Sequence, residues 1–376
     1  MTDFTSHEAG VGLDADQRAL QDALHRLLGA SPPLETTRLF ARIGRVAVRT
    51  HEAAFAAFGA PALLVAERFG GHGLGLLEAA IVARLLGRHA SPLRFIGCHA
   101  LAPLAITLGG DAAQQDRWLP AVATGDRRIA VSLRPQSGLG WHDGRLQGAA
   151  RNVPDAPACD AALLVDREGR AFLVPAQPGL QWTALETVDA TREFADARLE
   201  QARAELLVLD AQAWRALIAL DRLLLAADSL GACESLFDLA VAYAMERRQF
   251  GRPIGSFQAI KHLCADLAAE LELARSLFWR AARHLAAGTD DAGLLCAQAK
   301  SLLDEVARAG TRGVIEIHGA MGFTDASGLH FLANRTVVNR SLRDPPTQLR
   351  REIAALSGWL RPHPPPHPIP TSVDPP

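Results

Sequence analysis

Two aspartates carry carboxylates of the kind that can accept a proton. Asp221 lies in the leucine-rich stretch Leu220 to Ala227, and Asp344 precedes Pro345 and Pro346. Both have ordinary explanations: Asp221 beside Arg222 reads as a helix-surface ion pair, and Asp344 as the cap of the segment that follows. A third group of polar residues lies in Tyr243 to His262, where Arg247 and Arg248 precede Phe250, Gly251 and Pro253, with Gln258 beyond the turn. Cations near a helix C-terminus suit its negative dipole end, which by itself accounts for the arginines. Farther on, Glu316 to Thr324 carries Gly319 and Gly322, a turn between helices. The histidines at 51, 72, 99, 262, 318 and 330 show no ligand spacing, so a metal site is not expected. The five cysteines, at 98, 159, 233, 264 and 296, form no CxxC pair and read as reduced thiols in a cytoplasmic protein.

The elements around these residues change in period along the chain. From Leu13 to about Thr124 the sequence reads as helices parted by glycine turns, with Asp111 capping a helix that Gly125 closes. From Arg127 to about Arg203 it becomes short apolar runs, Arg128 to Leu133, Asp160 to Asp166 and Arg170 to Pro175, with Asp143-Gly144 and Glu168-Gly169 marking bends. Helical text resumes from Ala204. Ala211 to Met245 and Ser256 to Ala287 repeat leucine and alanine at three- and four-residue intervals, and such faces bury against other helices.

The expected fold is therefore mainly α with a small β domain: an N-terminal helical domain over 1–126, a reduced middle β domain over 127–203, and a C-terminal helical bundle over 204–360. A Pro-rich tail at 361–376 cannot continue a helix and is expected to be exposed. A chain of 376 residues exceeds the ~250–300 at which one core stops growing, in keeping with several domains. A formal charge of -2 gives no nucleic-acid footprint, the apolar runs are too interrupted for a membrane span, and the N-terminus carries no basic, apolar leader.

Taken in order, these motifs resemble the acyl-CoA dehydrogenase family. Tyr243 to His262 is similar to the family's first signature nearly position by position, and Glu316 to Thr324 resembles its second, with Ala320 and Glu316 replacing the usual glycine and glutamine. Glu67 to Leu76 looks like the family's first glycine-rich turn, and Ala113 to Asp126 like the helix before its β domain. The resemblance implies FAD as cofactor. Arg247 would contact its diphosphate, for which a guanidinium fork supplies paired hydrogen bonds, with Phe250 beside the adenosine and Gln258, Gly319 and Gly322 completing the grip. Part of that grip would serve a neighbouring subunit's FAD, which implies a homodimer, a homotetramer or an unlike acyl-CoA dehydrogenase subunit.

The implied reaction is α,β-dehydrogenation of an acyl-CoA thioester. A carboxylate takes the α proton, hydride goes to flavin N5, and electrons pass on to an electron-transfer flavoprotein. Asp344 matches the usual position of the base and Asp221 the alternative on the long helix, and neither is the familiar glutamate. In the β domain Leu133 and Arg134 stand where threonine and glutamate are usual; the resemblance makes Ser132 or Ser137 a candidate flavin donor and Trp141 either a stacking residue or a core or surface-patch tryptophan. The shortened middle region is similar to a subset of the family that pairs unlike subunits on bulky or steroid-like CoA thioesters. There one chain can complete FAD binding without a base of its own. An aspartate base also keeps open a flavin oxidase of small carbon acids such as nitroalkanes.

Overall fold

The computed structural model describes residues 12–31 and 34–359; the extreme N-terminus and the Pro-rich tail lie outside the described residues. Six helices come first: α1 (Ala15–Leu28), α2 (Glu35–Ile43), α3 (Arg49–Ala57), α4 (Leu76–Arg88), α5 (Ala102–Gly109) and α6 (Ala112–Ala123). Local chemistry sets their ends. Asp14 and Asp111 each accept the backbone N–H three residues on, and Gln17 and Gln114 reach back to the cap. Gly125, at φ +78°, closes α6 as the sequence indicates.

The middle region is a two-sheet sandwich. One sheet runs β1 (Ile129–Gln136), β4 (Ala161–Asp166), β5 (Ala171–Pro175), β8 (Glu205–Leu207), with β1 parallel to β4 and the other pairs antiparallel. The other runs β2 (Leu139–His142), β3 (Arg145–Pro154), β7 (Phe194–Arg203), β6 (Leu180–Leu185), antiparallel throughout. Leu146, Ala150, Leu164, Phe172 and Ala197 from the two sheets share one apolar layer. Gly144 and Gly169 take positive φ at the two bends marked in the sequence.

The bundle consists of α7 (Ala211–Glu246), α8 (Gln258–Ala287), α9 (Ala292–His318), α10 (Leu329–Leu342) and the short α11 (Pro346–Leu356). Helix α7 is its spine, packing on α4, α8, α9 and α10. From Ala219 to Glu234 every residue of α7 is buried, charged ones included. Buried charge is tolerated only with a partner, and each is matched to another element. Glu234 accepts from Arg84 of α4 and Arg275 of α8, Arg222 reaches Asp344 and Glu352, and Asp228 meets Arg335 of α10.

Asp228 joins the three domains. It accepts from Arg335 Nε at 2.9 Å, Arg335 Nη2 at 2.7 Å and Asn339 Nδ2 at 2.7 Å, with Arg192 Nη2 2.8 Å away. Arg335 in turn donates to the Ser91 carbonyl behind α4 and to Thr191 before β7. Burial pushes the Asp228 carboxyl up, but the two arginines and the Asn339 bond outweigh it and hold it at about 2. The stabilisation is thus present above the usual carboxylate range and fades as pH falls toward that value. D228N, which strands two guanidiniums, should cost about 3–5 kcal/mol in urea unfolding at neutral pH.

Where α4 crosses α7, Gly87 faces the Asp228 carbonyl and Gly231 faces that of Arg84, each so closely that a methyl group would overlap backbone. Backbone on both sides cannot rotate away. G231A should therefore lose about 1–3 kcal/mol or more, again read by urea unfolding, although alanine is the better helix former.

Candidate active site

A cavity of about 370 Å³ opens where the three domains meet. Leu86 and the turn Phe95 to Gly97 form one wall, Val131 to Arg134 of β1 a second, and α7 with α10 the third. The turn at Ile96–Leu101 is a short π-helix, and its wider winding lets Ile96 and Leu101 both reach the cavity. Leu86, Phe95, Ile96, Val131, Leu225 and Phe194 make the space largely apolar, while Ser132, Asp221 and Arg343 bring polar groups to it.

The two sequence-singled carboxylates end in different places. Asp221 lies on the cavity wall, with its carboxylate 3.8 Å from Arg343 Nε. Burial pushes its carboxyl up to about 6; Arg343 opposes that shift, Asp344 adds to it, and Lys300 and Arg222 oppose it. Asp344 is buried but not among the residues lining the cavity, and it accepts from Arg222 Nε at 2.8 Å. The same guanidinium donates at 2.9 and 2.5 Å to Glu352 of α11, so Asp344 sits inside a structural ion cluster. Pro345 and Pro346 turn the chain directly into α11, and this orients Asp344 toward α7.

Ser132 is buried on the cavity wall, its hydroxyl accepting from Gln136 Nε2 at 3.2 Å. Ser137 is exposed at the β1–β2 turn. Trp141 packs instead on Phe172 within the sandwich, ring centroids 5.5 Å apart, under the Arg170 guanidinium.

The signature residues gather at the far end of α7. Arg247 caps it; Phe250, at φ +50° and 92% exposed, and Gly251 make the tip of a short hairpin; Gln258 opens α8 on the exposed side. Tyr243 stacks on His318, centroids 4.4 Å apart, and brings this hairpin against the end of α9. There Gly319 has φ +58° with open space beside it among the described residues, Gly322 is packed against Ile315, and Glu316 faces outward. Exposed backbone at Gly251 and Gly319, an exposed aromatic and a guanidinium suit the diphosphate and adenosine of FAD. The cavity combines an apolar lining with polar and charged side chains such as Ser132, Arg192, Asp221 and Arg343, a mixture that suits a flavin ring and an acyl chain.

These two halves are far apart in one chain. Helix α7 rises about 1.5 Å per residue, which puts about 39 Å between Asp221 and Arg247.

Sequence reasoning missed Arg343, Arg192, Arg335 and Asp228. A signal for the last was available, since an aspartate amid Leu223 to Leu230 requires a buried cationic partner, but the partner's position was not legible.

Family models for the acyl-CoA dehydrogenase N-terminal and C-terminal domains match residues 14–126 and 211–345. The chain is 30% identical over 302 residues to acyl-CoA dehydrogenase IpdE2 of Mycobacterium tuberculosis, covering 78% of this chain and 82% of the relative. It is also 30% identical to acyl-CoA dehydrogenase FadE27 of the same organism, over 71% of this chain and 77% of that one. Among solved structures, a variant of the Tcur3481-Tcur3483 steroid ACAD superposes with a TM-score of 0.80 at 28% identity, covering 91% of this chain and 98% of that chain. With both terminal domains matched and the arrangement of helices and sandwich shared, the chain belongs to the acyl-CoA dehydrogenase family of FAD-dependent oxidoreductases.

Proposed function

We propose that this chain dehydrogenates a bulky, steroid-like acyl-CoA beside an unlike acyl-CoA dehydrogenase subunit, with Asp221 as the base. The observation that carries the assignment of the base is the contrast between the two carboxylates. Asp221 faces the cavity with its carboxyl raised by burial, whereas Asp344 is consumed by Arg222. A raised carboxylate is a stronger base, and an apolar cavity keeps water from competing for the proton.

FAD, when bound, supplies the hydride acceptor. The chain's own residues do the rest. Asp221 takes the α proton, Phe95, Ile96 and Leu225 exclude water, and Asp228 with Arg335 fixes α10 as the third wall. Arg247, Phe250 and Gly319 are then left to hold the FAD of the neighbouring subunit, in keeping with the separation along α7. Support for an unlike partner and a steroid-like substrate comes from the steroid ACAD, whose name couples two chains. Electrons would leave through an electron-transfer flavoprotein.

Anaerobic stopped-flow reduction of the copurified, FAD-loaded complex by steroid-like acyl-CoAs tests this reading. D221N should slow flavin bleaching roughly 100-fold or more, while D344N leaves it within a few-fold and instead lowers the melting temperature. The reverse pattern would move the base to Asp344. Unchanged bleaching in both would leave this chain as a subunit that only completes its partner's FAD site.

The pH dependence follows from the same carboxylate. Only ionised Asp221 accepts a proton, so the rate should rise as pH increases through about 6. That limb should be absent from the residual rate of D221N.

A further inference from the structure

The π-helical turn that lends Ile96 and Leu101 to the cavity sends Cys98 into the sandwich. Among the described residues Cys98 is the one member of that apolar layer from the N-terminal domain, and Cys159, just before β4, belongs to the same layer. The two thiols meet there. A hydrogen bond with the Cys159 thiol, followed by burial, holds the Cys98 thiol well above its ordinary range, and Arg94 opposes that shift. Cys159 Sγ also donates to the Asp155 carbonyl at 3.0 Å. Arg94 straps the two segments together: its Nη2 donates to the Pro157 carbonyl at 2.7 Å and to Glu193 at 2.8 Å. This guanidinium is buried, its Nε has no hydrogen-bond partner among the described residues, and its charge acts on both sulfurs. The other cysteines differ. Burial pushes Cys233 and Cys296 up to about 12 and raises Cys264, and no second thiol acts on any of them.

Two thiols in contact beside a cation suit closure of a disulfide by a two-electron oxidant, because the cation favours the attacking thiolate. Access sets the order of events. Cys98 is 0% and Cys159 8% exposed, so a small oxidant reaches Cys159 first. We propose that Cys98 and Cys159 are a peroxide-oxidisable pair whose disulfide fastens the π-helical turn to the sandwich. In the first step the peroxide O–O bond breaks, one oxygen passes to the Cys159 sulfur as a sulfenic acid, and the other leaves as water. The Cys98 sulfur then attacks the Cys159 sulfur, the S–O bond breaks, and hydroxide leaves with the Cys98 proton as a second water. Together the two sulfurs lose two electrons, which reduce one peroxide. Residues 155–159 lie outside the strands, which leaves that side free to close the last gap between the sulfurs. Ile96 and Gly97 on one side of the bond and Pro154 and Asp155 on the other line the cavity, so the link joins two stretches of its wall. The bond forms whichever carboxylate is the base.

The test treats the FAD-loaded protein with hydrogen peroxide in steps and removes the oxidant with catalase. The protein is then alkylated in denaturant and its peptides are weighed by mass spectrometry without reductant. A peptide pair joining Cys98 to Cys159 should appear and should vanish on treatment with dithiothreitol, while Cys233, Cys264 and Cys296 stay fully alkylated. In C98S, Cys159 should stop at the sulfenic acid and be trapped by dimedone. In C159S, Cys98 should remain a thiol. A bond that closes a loop of roughly 60 residues restricts the unfolded chain, so the oxidised wild type should melt roughly 3–6 °C higher, reversibly, and neither variant should show this rise. Cys98 and Cys159 recovered unlinked after oxidation would overturn the proposal, as would over-oxidation of Cys159 without a link or a link to a different cysteine. If C98S does not fold, the wild type decides alone, through the linked peptide and its melting temperature.

Discussion

The carboxylate of Asp228 is the constraint on which the rest of the structure depends. It lies inside the longest helix, where an unpaired charge would not be tolerated, and its partners come from every domain: Arg335 and Asn339 on α10, Arg192 before β7, and through Arg335 the Ser91 carbonyl behind α4. Apolar layers alone would hold these domains together without fixing their register. Directional bonds to one buried anion do fix it, and the cavity is the space left between elements so fixed. The neighbouring ion clusters, Glu234 with Arg84 and Arg275 and Arg222 with Asp344 and Glu352, repeat the device along α7.

Much of this was legible in the sequence because it depends on local chemistry. Asp111 and Gly125 bound α6, the Asp143-Gly144 and Glu168-Gly169 bends part the strands, and the leucine and alanine spacing of 211–245 yields α7 within a residue. The signatures around Arg247 and Gly319 lie side by side in the fold, and Tyr243 on His318 supplies the contact that brings them together. What the sequence did not disclose is which carboxylate faces the cavity. Asp221 and Asp344 lie far apart in the chain, both are buried, and only the direction of Arg222 separates them. Such a choice is made by tertiary contacts, which leave no periodic trace. Arg343 was invisible for the same reason, its meaning resting on a carbonyl of β1.

The division of the site along α7 also explains a feature that local stability cannot. Phe250 and Phe323 are among the most exposed large apolar side chains of the described residues, at 92% and 83%, and each sits in a turn beside a glycine. A chain that completed its own cofactor site would have reason to fold these rings inward. One that presents half of a site to a neighbour has reason to leave them outside.

The paired glycines at the α4–α7 crossing have a further consequence for how this scaffold can diversify. Because the two backbones touch there, α4 cannot slide or part from α7, and the wall they share behaves as a fixed datum. Changes in the size of the cavity must then come from side chains away from that seam, such as those of the π-helical turn at Ile96–Leu101 and Val337 and Val338 on α10. Substitutions that alter its width will concentrate on those side chains, while the seam at Gly87 and Gly231 stays free of any.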